Sequence, residues 1–310
     1  MTDPRIRFRH LQCFLSIAQH RSVGAAANAL AITQPALSKT LRELEDALDT
    51  KLFERDKKGM LLTRAGEIFL EYAAASIAAM RTGVSRVKTA GQASGRHVTI
   101  GVLPTVAARV MPHAIEQFKN EAPDITVQII TGEHAQLLDL LRLGEVELVI
   151  GRLARPESMI GLSFEELYSE RLVIVVRKGH PLAKLQRPKL TQITDFPCVL
   201  PHYGTLVREE IDRFLIANGT QLPRNIVEAT SIAFERSYTS AVSAVWFVAH
   251  GIVALDLKQG QLVELPFDTS TMRGPVGISV RSALTPSRSA AALIRIISET
   301  VQNLPTLDHN

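Results

Sequence analysis

The stretch Ser22–Glu45, SVGAAANALAITQPALSKTLRELE, decides the fold of the first part of the chain. It predicts two helices joined by a very short turn. Ser22 and Thr33 are residue types that cap helices, and Pro35 falls in the first turn of the second helix, where a missing N–H costs little. Leucines recur along the second helix at intervals of three and four, as on a buried helical face. They are Leu37, Leu41, Leu44 and Leu48.

The other face of the second helix is polar and carries side chains that bind base edges or phosphates. These are Gln34, Ser38, Lys39 and Arg42. An ordinary helical hairpin with a solvated face would show the same pattern. The next segment, residues 51–64, favours DNA binding, because two short apolar runs flank a basic turn with Gly59 and predict a β-hairpin wing. The cationic side chains of this wing, suited to phosphates, are Arg55, Lys57, Lys58 and Arg64.

The uneven distribution of charge supports a nucleic-acid partner for the N-terminal part. Residues 1–91 hold 14 Lys and Arg against 9 Asp and Glu, a net charge of +5, whereas the remainder holds 21 against 22, a net charge of −1. A phosphate-binding module requires such a basic excess. With 310 residues, 46% of them hydrophobic and 21% charged, the chain suits an ordinary globular protein of two or three domains.

Several function classes lack their usual sequence signals. Cys13 and Cys198 are far apart in apolar surroundings, which predicts neither a disulfide framework nor a metal site. The sequence has no Gly-x-Gly-x-x-Gly, no phosphate-binding glycine-rich loop with Lys and no Gly-x-Ser-x-Gly, which argues against an enzyme and against a cofactor. It shows no secretory leader and no apolar run of membrane-spanning length, which indicates a cytoplasmic protein.

A long helix is predicted after the wing, from about Arg64 to Gly91, with Thr63 as its cap. Its large apolar residues include Ile68, Tyr72, Met80, Val84 and Val87. A helix of this length cannot bury its apolar side against so small an N-terminal module. We therefore expect it to pair with the same helix of a second chain. Residues 92–96 are expected to form a hinge, because Gly and Ser interrupt the helical pattern.

From His97 onward strands and helices alternate, which is typical of parallel sheets covered by helices. The first strand, at His97–Val102, should be followed by one helix from about Thr105 to Asn120, and a later strand covers Leu172–Val176. A length of roughly 215 residues suits either one large domain or two smaller lobes.

Residues 8–69 resemble the winged helix-turn-helix of the LysR-type transcriptional regulators. The matching segments are Phe8–Phe14, Ser22–Ala27, Thr33–Lys39, Leu41–Glu45, Leu52–Arg55 and Leu62–Gly66. The resemblance implies a DNA-binding domain over residues 1–64, with the helix-turn-helix at about 23–42, and a dimerising linker helix over residues 65–91. The residues that we expect at the DNA are Val23, Gln34, Pro35, Ser38 and Arg42 near the groove and Lys39, Arg55, Lys57 and Lys58 on phosphates.

The resemblance extends more loosely over the rest of the chain. It implies that the all-α winged helix-turn-helix and the long linker helix precede a C-terminal α/β two-lobed effector-binding domain, residues 97–310, that resembles the type II periplasmic binding proteins. Lobe I is expected at about 97–166 and 270–310 and lobe II at about 167–269, with chain crossings near Leu162–Glu170 and Phe267–Arg273. The implied partners are double-stranded DNA with paired half-sites, a small anionic effector, RNA polymerase and further copies of the chain in a homodimer or homotetramer, but no membrane.

Ligands of open α/β sheets bind beyond the carboxyl ends of strands, where helix N-termini offer N–H groups. The residues at such ends are Leu103, Pro104, Thr105, His134 and Arg152 in lobe I and Pro201, His202, Tyr203, Thr230 and Ser231 in lobe II. The hydroxyl residues could equally be plain helix caps, and Arg152 could pair with a surface carboxylate. Several helix starts and one arginine in one cleft suit a small anion.

Two resemblances within the family concern the effector. Aligned over residues 100–153 with regulators that bind muconate, Thr105 falls on their ligand-binding Ser, His134 on a Thr and Arg152 on an Arg. The segments Ile6–Gln12, Lys39–Glu45, Ala244–Val248 and Gly274–Gly277 are also similar to family members that activate protocatechuate catabolism. This similarity implies β-carboxy-cis,cis-muconate as the effector, with cationic contacts from Arg152 and His134 and further contacts from His202 or Arg236.

Two alternatives remain open from the sequence. A regulator of another pathway would bind a different small anion, such as a sugar acid or an amino acid. A solute-binding protein of the transport type would share the two-lobed domain, but the basic winged helix argues against it.

Overall fold

The computed structural model describes residues 5–56, 59–89 and 97–304. Its first part is a winged helix-turn-helix followed by one long helix, as the sequence predicts. The elements are α1 (Phe8–His20), α2 (Val23–Ala29), α3 (Gln34–Leu48), β1 (Phe53–Asp56), β2 (Gly59–Leu62) and α4 (Arg64–Thr89). The predicted hinge at 92–96 and the wing residues Lys57 and Lys58 lie outside the described residues.

Local capping positions the two helices of the helix-turn-helix. The Ser22 hydroxyl accepts a hydrogen bond from the Ala25 N–H, and the Thr33 hydroxyl accepts one from the Ala36 N–H, which confirms both predicted caps. The leucine face of α3 is buried except for Leu48, which is half-buried. The opposite face of α3 is thereby fixed toward solvent.

The wing is anchored to the rest of the N-terminal module at both ends. At its tip, Met60 N–H donates to the Arg21 carbonyl, and Gly59, with φ +113°, lies so close that a Cβ there would be 2.4 Å from the same oxygen. At its base the buried Glu45 accepts hydrogen bonds from the Leu52 N–H at 2.9 Å and from the Lys51 ammonium at 2.7 Å. Glycine is required at the tip, since only it adopts this φ without strain.

The long helix α4 has two different apolar faces. One face, with Leu70, Ala73, Ala74 and Ile77, is buried against the N-terminal core. The other exposes large apolar side chains along its length: Ile68, Tyr72, Met80, Val84 and Val87. An exposed apolar stripe of this length marks an interaction surface.

The C-terminal part is a two-lobed α/β domain, as predicted. Its strands are β3 (His97–Val102), β4 (Thr126–Thr131), β5 (Leu148–Arg152), β6 (Leu162–Arg177), β7 (Cys198–Leu200), β8 (Ile226–Glu228), β9 (Val245–Ala249), β10 (Leu262–Glu264) and β11 (Arg273–Arg281). Its helices are α5 (Pro104–Arg109), α6 (Met111–Glu121), α7 (His134–Arg142), α8 (Leu206–Ala217), α9 (Ile232–Ala241), α10 (His250–Lys258) and α11 (Arg288–Asn303), with 3-10 turns at Pro156–Ser158, Pro181–Lys184 and Leu190–Asp195.

The strands follow the order β4-β3-β5-β11-β6-β9-β7-β8, and β10 pairs with β6. Strand β6, 16 residues long, belongs to both lobes: Tyr168 lies in the core of lobe I and Leu172 in the core of lobe II. Strand β11 returns beside it in the antiparallel direction, between β6 and β5. The two crossing strands, β6 and β11, therefore pair with each other and connect the two lobes.

The first chain crossing lies within β6, close to the predicted Leu162–Glu170, but two other expectations about this domain were wrong in detail. The sheet is mixed rather than purely parallel, because two crossings that run in opposite directions pair side by side. The single helix expected at 105–120 is two helices, α5 and α6, since Pro112 in the first turn of α6 cannot donate to the preceding turn. Helix α10 and strand β10 were not expected.

Helix α7 links the cleft between the lobes to the N-terminal module. At its C-terminal end Leu143 packs against the N-terminal core, and Gly144 lies against Ala78 of α4, where a Cβ would be 2.5 Å from the alanine Cβ. The guanidinium of Arg81 on α4 donates to Glu145 at 2.6 Å and to the Leu143 carbonyl at 3.1 Å. The effector domain thus packs against the C-terminal half of α4 in the same chain. Among the described residues, no helix combines the length and apolar character needed to cross a bilayer.

The DNA-binding face and the candidate effector cleft

Helix α3 presents the side chains that the sequence predicts for DNA. Gln34, Pro35, Lys39 and Arg42 are exposed, and Ser38 is half-buried. The Arg42 guanidinium folds back along the helix, where Nε donates to the Ser38 carbonyl at 3.3 Å. Arg55 is exposed on β1, so it projects from the wing that flanks α3. Val23 is half-buried and packs on the N-terminal core, so its side chain contributes mainly to that core.

A cavity of about 640 Å³ opens between the two lobes. Most of the effector residues predicted from the sequence line it. They are Leu103, Pro104, Thr105, His134, Arg152, Pro201, His202 and Thr230. The ends of β3, β4, β5, β7 and β8 bring them together from five separate places in the chain, as expected for an open α/β sheet.

Three predicted residues do not line the cavity. Ser231 is exposed and caps α9, with its hydroxyl accepting from the Phe234 N–H at 3.4 Å, so the plain capping role applies. The ring of Tyr203 is 81% exposed on the surface of lobe II. Arg236 is used within lobe II, where it donates to Asp256 at 3.1 Å and to the Ile252 carbonyl at 2.8 Å.

Thr105 lies inside the first turn of α5 rather than at its cap. Leu103 occupies the N-cap position, and no side chain of the described residues caps this end. The capping alternative therefore does not apply to Thr105. In lobe II the equivalent cap is Thr205, whose hydroxyl accepts from the Arg208 N–H at 3.3 Å and donates to the His202 carbonyl at 2.9 Å.

His134 cannot supply the predicted positive charge near neutral pH. It begins α7 and lines the cavity, and burial lowers its pKa to about 4. Its imidazole is therefore neutral in the ligand-free cleft at pH 7 and acts as a hydrogen-bonding group rather than a cation.

Arg152, at the end of β5, pairs with a carboxylate of the other lobe. Its Nη2 lies 2.8 Å from Oε2 of Glu210 on α8. The N–H direction does not suit a hydrogen bond, and neither atom has another hydrogen-bond partner among the described residues. Burial lowers the pKa of Arg152 and raises that of Glu210. The alternative of a surface ion pair is wrong, since this pair is largely buried and spans the two lobes.

Two further carboxyl groups in the cavity wall were missed by the sequence reasoning. Glu170 Oε1 accepts from the Gly251 N–H at 3.2 Å, its Oε2 has no hydrogen-bond partner among the described residues, and burial raises its pKa. Burial likewise raises the pKa of Glu235 to about 7. A hydrogen bond from the Trp246 side chain acts in the opposite direction and lowers this pKa. Glu170 lies in β6 just before its run of Val and Ile at 172–176, which was the available signal for its burial.

Gly274 on β11 is a further residue that shapes the site. A Cβ at this position would lie 2.4 Å from Nε and 2.5 Å from Nη2 of Arg152. The guanidinium therefore rests directly on the backbone of the crossing strand, and glycine is needed because of this close approach.

Comparison with known proteins agrees with this architecture. The family model "Bacterial regulatory helix-turn-helix protein, lysR family" matches residues 8–67, and the model "LysR substrate binding domain" matches residues 91–302. The transcriptional regulator PcaQ of Agrobacterium fabrum is 41% identical over 304 residues, which covers 98% of each chain. The uncharacterized regulator YdcI of Escherichia coli is 36% identical over 297 residues and 96% of each chain.

A solved structure shows the same fold at lower identity. The full-length regulator LysG from Corynebacterium glutamicum, with bound effector Arg, superposes with a TM-score of 0.60 at 19% identity, covering 98% of this chain and 100% of that chain. Both family models together span the N-terminal module and the two-lobed domain, and the relatives match along nearly the full length. The chain therefore belongs to the LysR family of DNA-binding transcriptional regulators.

Proposed function

We propose that this regulator activates an aromatic-acid catabolic operon, of the protocatechuate and β-ketoadipate type, when a small carboxylate binds between its lobes. The observation that carries the proposal is Arg152, a buried guanidinium in the wall of a cavity of about 640 Å³, whose Nη2 makes no aligned hydrogen bond within the described residues. A carboxylate supplies the two acceptor oxygens that match a guanidinium fork. The 41% identity to PcaQ supports the pathway.

The charges of the cleft bear on the choice among carboxylates. Its wall combines one arginine with Glu133, Glu170 and Glu235, and His134 is neutral at pH 7. The tricarboxylate β-carboxy-cis,cis-muconate needs more cationic partners than Arg152 alone provides, so it gains most if carboxyls of the wall are protonated on binding. cis,cis-Muconate and protocatechuate carry fewer carboxylates and need fewer cationic partners. The titration below compares their affinities with that of β-carboxy-cis,cis-muconate.

The proposed DNA binding rests on α3 and the wing, and the proposed assembly rests on α4. The exposed stripe of α4 is proposed to pair with the same stripe of a second copy, which gives a two-fold dimer that binds paired half-sites. Two such dimers would form the proposed tetramer. As an activator, the DNA-bound assembly is proposed to contact RNA polymerase.

The test is a calorimetric titration of the purified full chain with protocatechuate, cis,cis-muconate and β-carboxy-cis,cis-muconate. Arg152→Ala should abolish binding of the true effector. Arg155→Ala is the matched control, because Arg155 is an exposed arginine three residues further on that does not line the cavity. Binding by the wild type that persists in Arg152→Ala would contradict the cleft assignment, and binding of a sugar acid or amino acid instead would contradict the pathway.

A further inference from the structure

The arginine assigned to the effector already contacts a carboxylate of this chain. Nη2 of Arg152 lies 2.8 Å from Oε2 of Glu210, and their side chains are 8% and 17% exposed. We propose that Glu210 is an internal competitor that the effector's carboxylate must displace from Arg152, so that Glu210 sets the affinity of the cleft and excludes ligands without a carboxylate. This inference rests on the proposed function, because it concerns the same cleft.

The geometry of the guanidinium makes the two carboxylates compete for one nitrogen. A carboxylate binds a guanidinium with both oxygens either end-on, through Nη1 and Nη2, or side-on, through Nε and Nη2. Both arrangements use Nη2, the nitrogen that Glu210 contacts. The backbone at Gly274 lies against Nε and Nη2 from the crossing strand. A ligand that makes a two-oxygen contact therefore brings a second carboxylate to the nitrogen that Glu210 contacts, and the two like charges oppose each other.

The internal pair is also poorly made. Neither Nη2 of Arg152 nor Oε2 of Glu210 forms a hydrogen bond within the described residues, although the two atoms are close. Buried charges without aligned hydrogen bonds carry an uncompensated desolvation cost. A ligand carboxylate that lies in the plane of the guanidinium aligns these N–H groups and gains free energy that Glu210 does not.

A second partner is available to Glu210 once it leaves. Arg213 lies one turn further along α8, at a spacing of three residues, and its positive charge acts on the Glu210 carboxylate. Side chains at this spacing on a helix are neighbours. The displaced carboxylate can therefore rotate toward an exposed cation instead of remaining buried alone.

The neighbouring residue gives a matched comparison. Glu209 pairs with Arg155 across the same gap between the lobes, but both side chains are nearly half exposed, at 44% and 48%. That pair is solvated, and Arg155 does not line the cavity. Effector binding thus replaces the buried ion pair between Glu210 and Arg152 with an ion pair between the ligand and Arg152. The exposed ion pair between Glu209 and Arg155 stays in place.

The experiment titrates the same three carboxylates calorimetrically into Glu210→Gln, which keeps the size of the side chain and removes its charge. The expected result is a dissociation constant lower by about tenfold or more, since a like charge opposes the ligand in the wild type. The double variant Glu210→Gln/Arg152→Ala should not bind. Glu209→Gln should change the affinity by less than about twofold, as expected for a solvated pair.

Two results would overturn the inference in distinguishable ways. Unchanged or weaker binding by Glu210→Gln, with normal binding by the wild type, removes the competitor role and leaves the proposed function standing. If the wild type binds none of the three, thermal denaturation with added sodium acetate decides. Stabilisation of Glu210→Gln beyond the wild type, lost in the double variant, supports the competitor and contradicts only the named effectors. An equal response of both proteins contradicts the competitor as well.

Discussion

Arginine has opposite surroundings at the two functional ends of this chain. Arg42 on α3 and Arg55 on the wing are exposed, so water and salt screen them until phosphates arrive. Arg152 in the cleft is 7% exposed and lies against Glu210, with the Glu170 carboxylate also nearby. Surface cations act together, through their number and spacing, whereas a buried cation acts through the one partner that it contacts. The partner of Arg152 comes from the other lobe, and no local sequence pattern identifies it.

The comparison is tested most strongly by crowding the buried arginine without removing it. Gly274→Ala places a Cβ within 2.5 Å of the guanidinium, and β11 is held on both sides by β5 and β6, so the side chain rather than the strand must move. We expect effector affinity to fall about 100-fold, near 3 kcal/mol, and the free energy of unfolding to fall by about 1–3 kcal/mol. Calorimetry and chemical denaturation measure the two effects.

Gly83→Ala is the control for that substitution. A Cβ at Gly83, in the C-terminal third of α4, meets no described atom within 4 Å, and alanine favours a helix over glycine by about 1 kcal/mol. Unaltered effector binding by Gly274→Ala would show that Arg152 does not need its position against the strand.

Burial should also make the cleft, unlike the DNA face, sensitive to pH. The pKa of Glu235 is about 7 in the fold, above its ordinary value, so its stabilising effect is complete at low pH and is lost as the pH rises through 7. From pH 5 to pH 8 the wild type should lose on the order of 2 kcal/mol of unfolding free energy relative to Glu235→Gln. Urea denaturation at several pH values measures this difference. A constant difference across the range would mean that Glu235 does not titrate there.

On the DNA face a single cation near the groove should affect specificity rather than stability. Arg42→Ala is expected to cost about 1–3 kcal/mol at one operator position and to relax base preference there. Gel-shift titrations with the operator and with single-base variants give the values. Operator discrimination equal to that of the wild type would mean that α3 is not the recognition helix, or that Arg42 faces away from the bases.

The smallest effect is expected at the wing. Arg55→Ala should weaken binding to all DNA sequences about equally, by about 1 kcal/mol or less, and should reduce the slope of log K against log salt by about 1. Affinities measured over a series of salt concentrations test this expectation. A sequence-dependent loss would place Arg55 at a base edge instead of a phosphate.

The sequence predicted the N-terminal module well because its determinants are local. The Ser22 and Thr33 caps and the leucine face of α3 act within a few residues, and the structure shows each in its expected role. Most strands of the effector domain were also located, since runs of Val and Ile mark them, but the short strand β10 was missed. The helix break at Pro112 had a local cause too, but the apolar pattern across it suggested one helix.

The cleft was predicted only in outline, because its chemistry depends on contacts between distant segments. Arg152 and Thr105 were placed correctly in its wall from the ends of strands. Glu210 and Glu170 were missed, since nothing near them in sequence indicates that they lie near the guanidinium. The neutral state of His134 and the outward use of Arg236 likewise follow from burial and from partners that only the folded chain brings together.

The two faces of α4 have a practical consequence for fragments of this protein. In the intact chain Ala78 is covered by Gly144, and Arg81 is paired with Glu145, so one side of the helix is completed by the effector domain. A fragment that ends with α4 would expose this side in addition to the apolar stripe that includes Tyr72 and Val87. Such a DNA-binding fragment should aggregate unless polar residues replace the side that the effector domain covers.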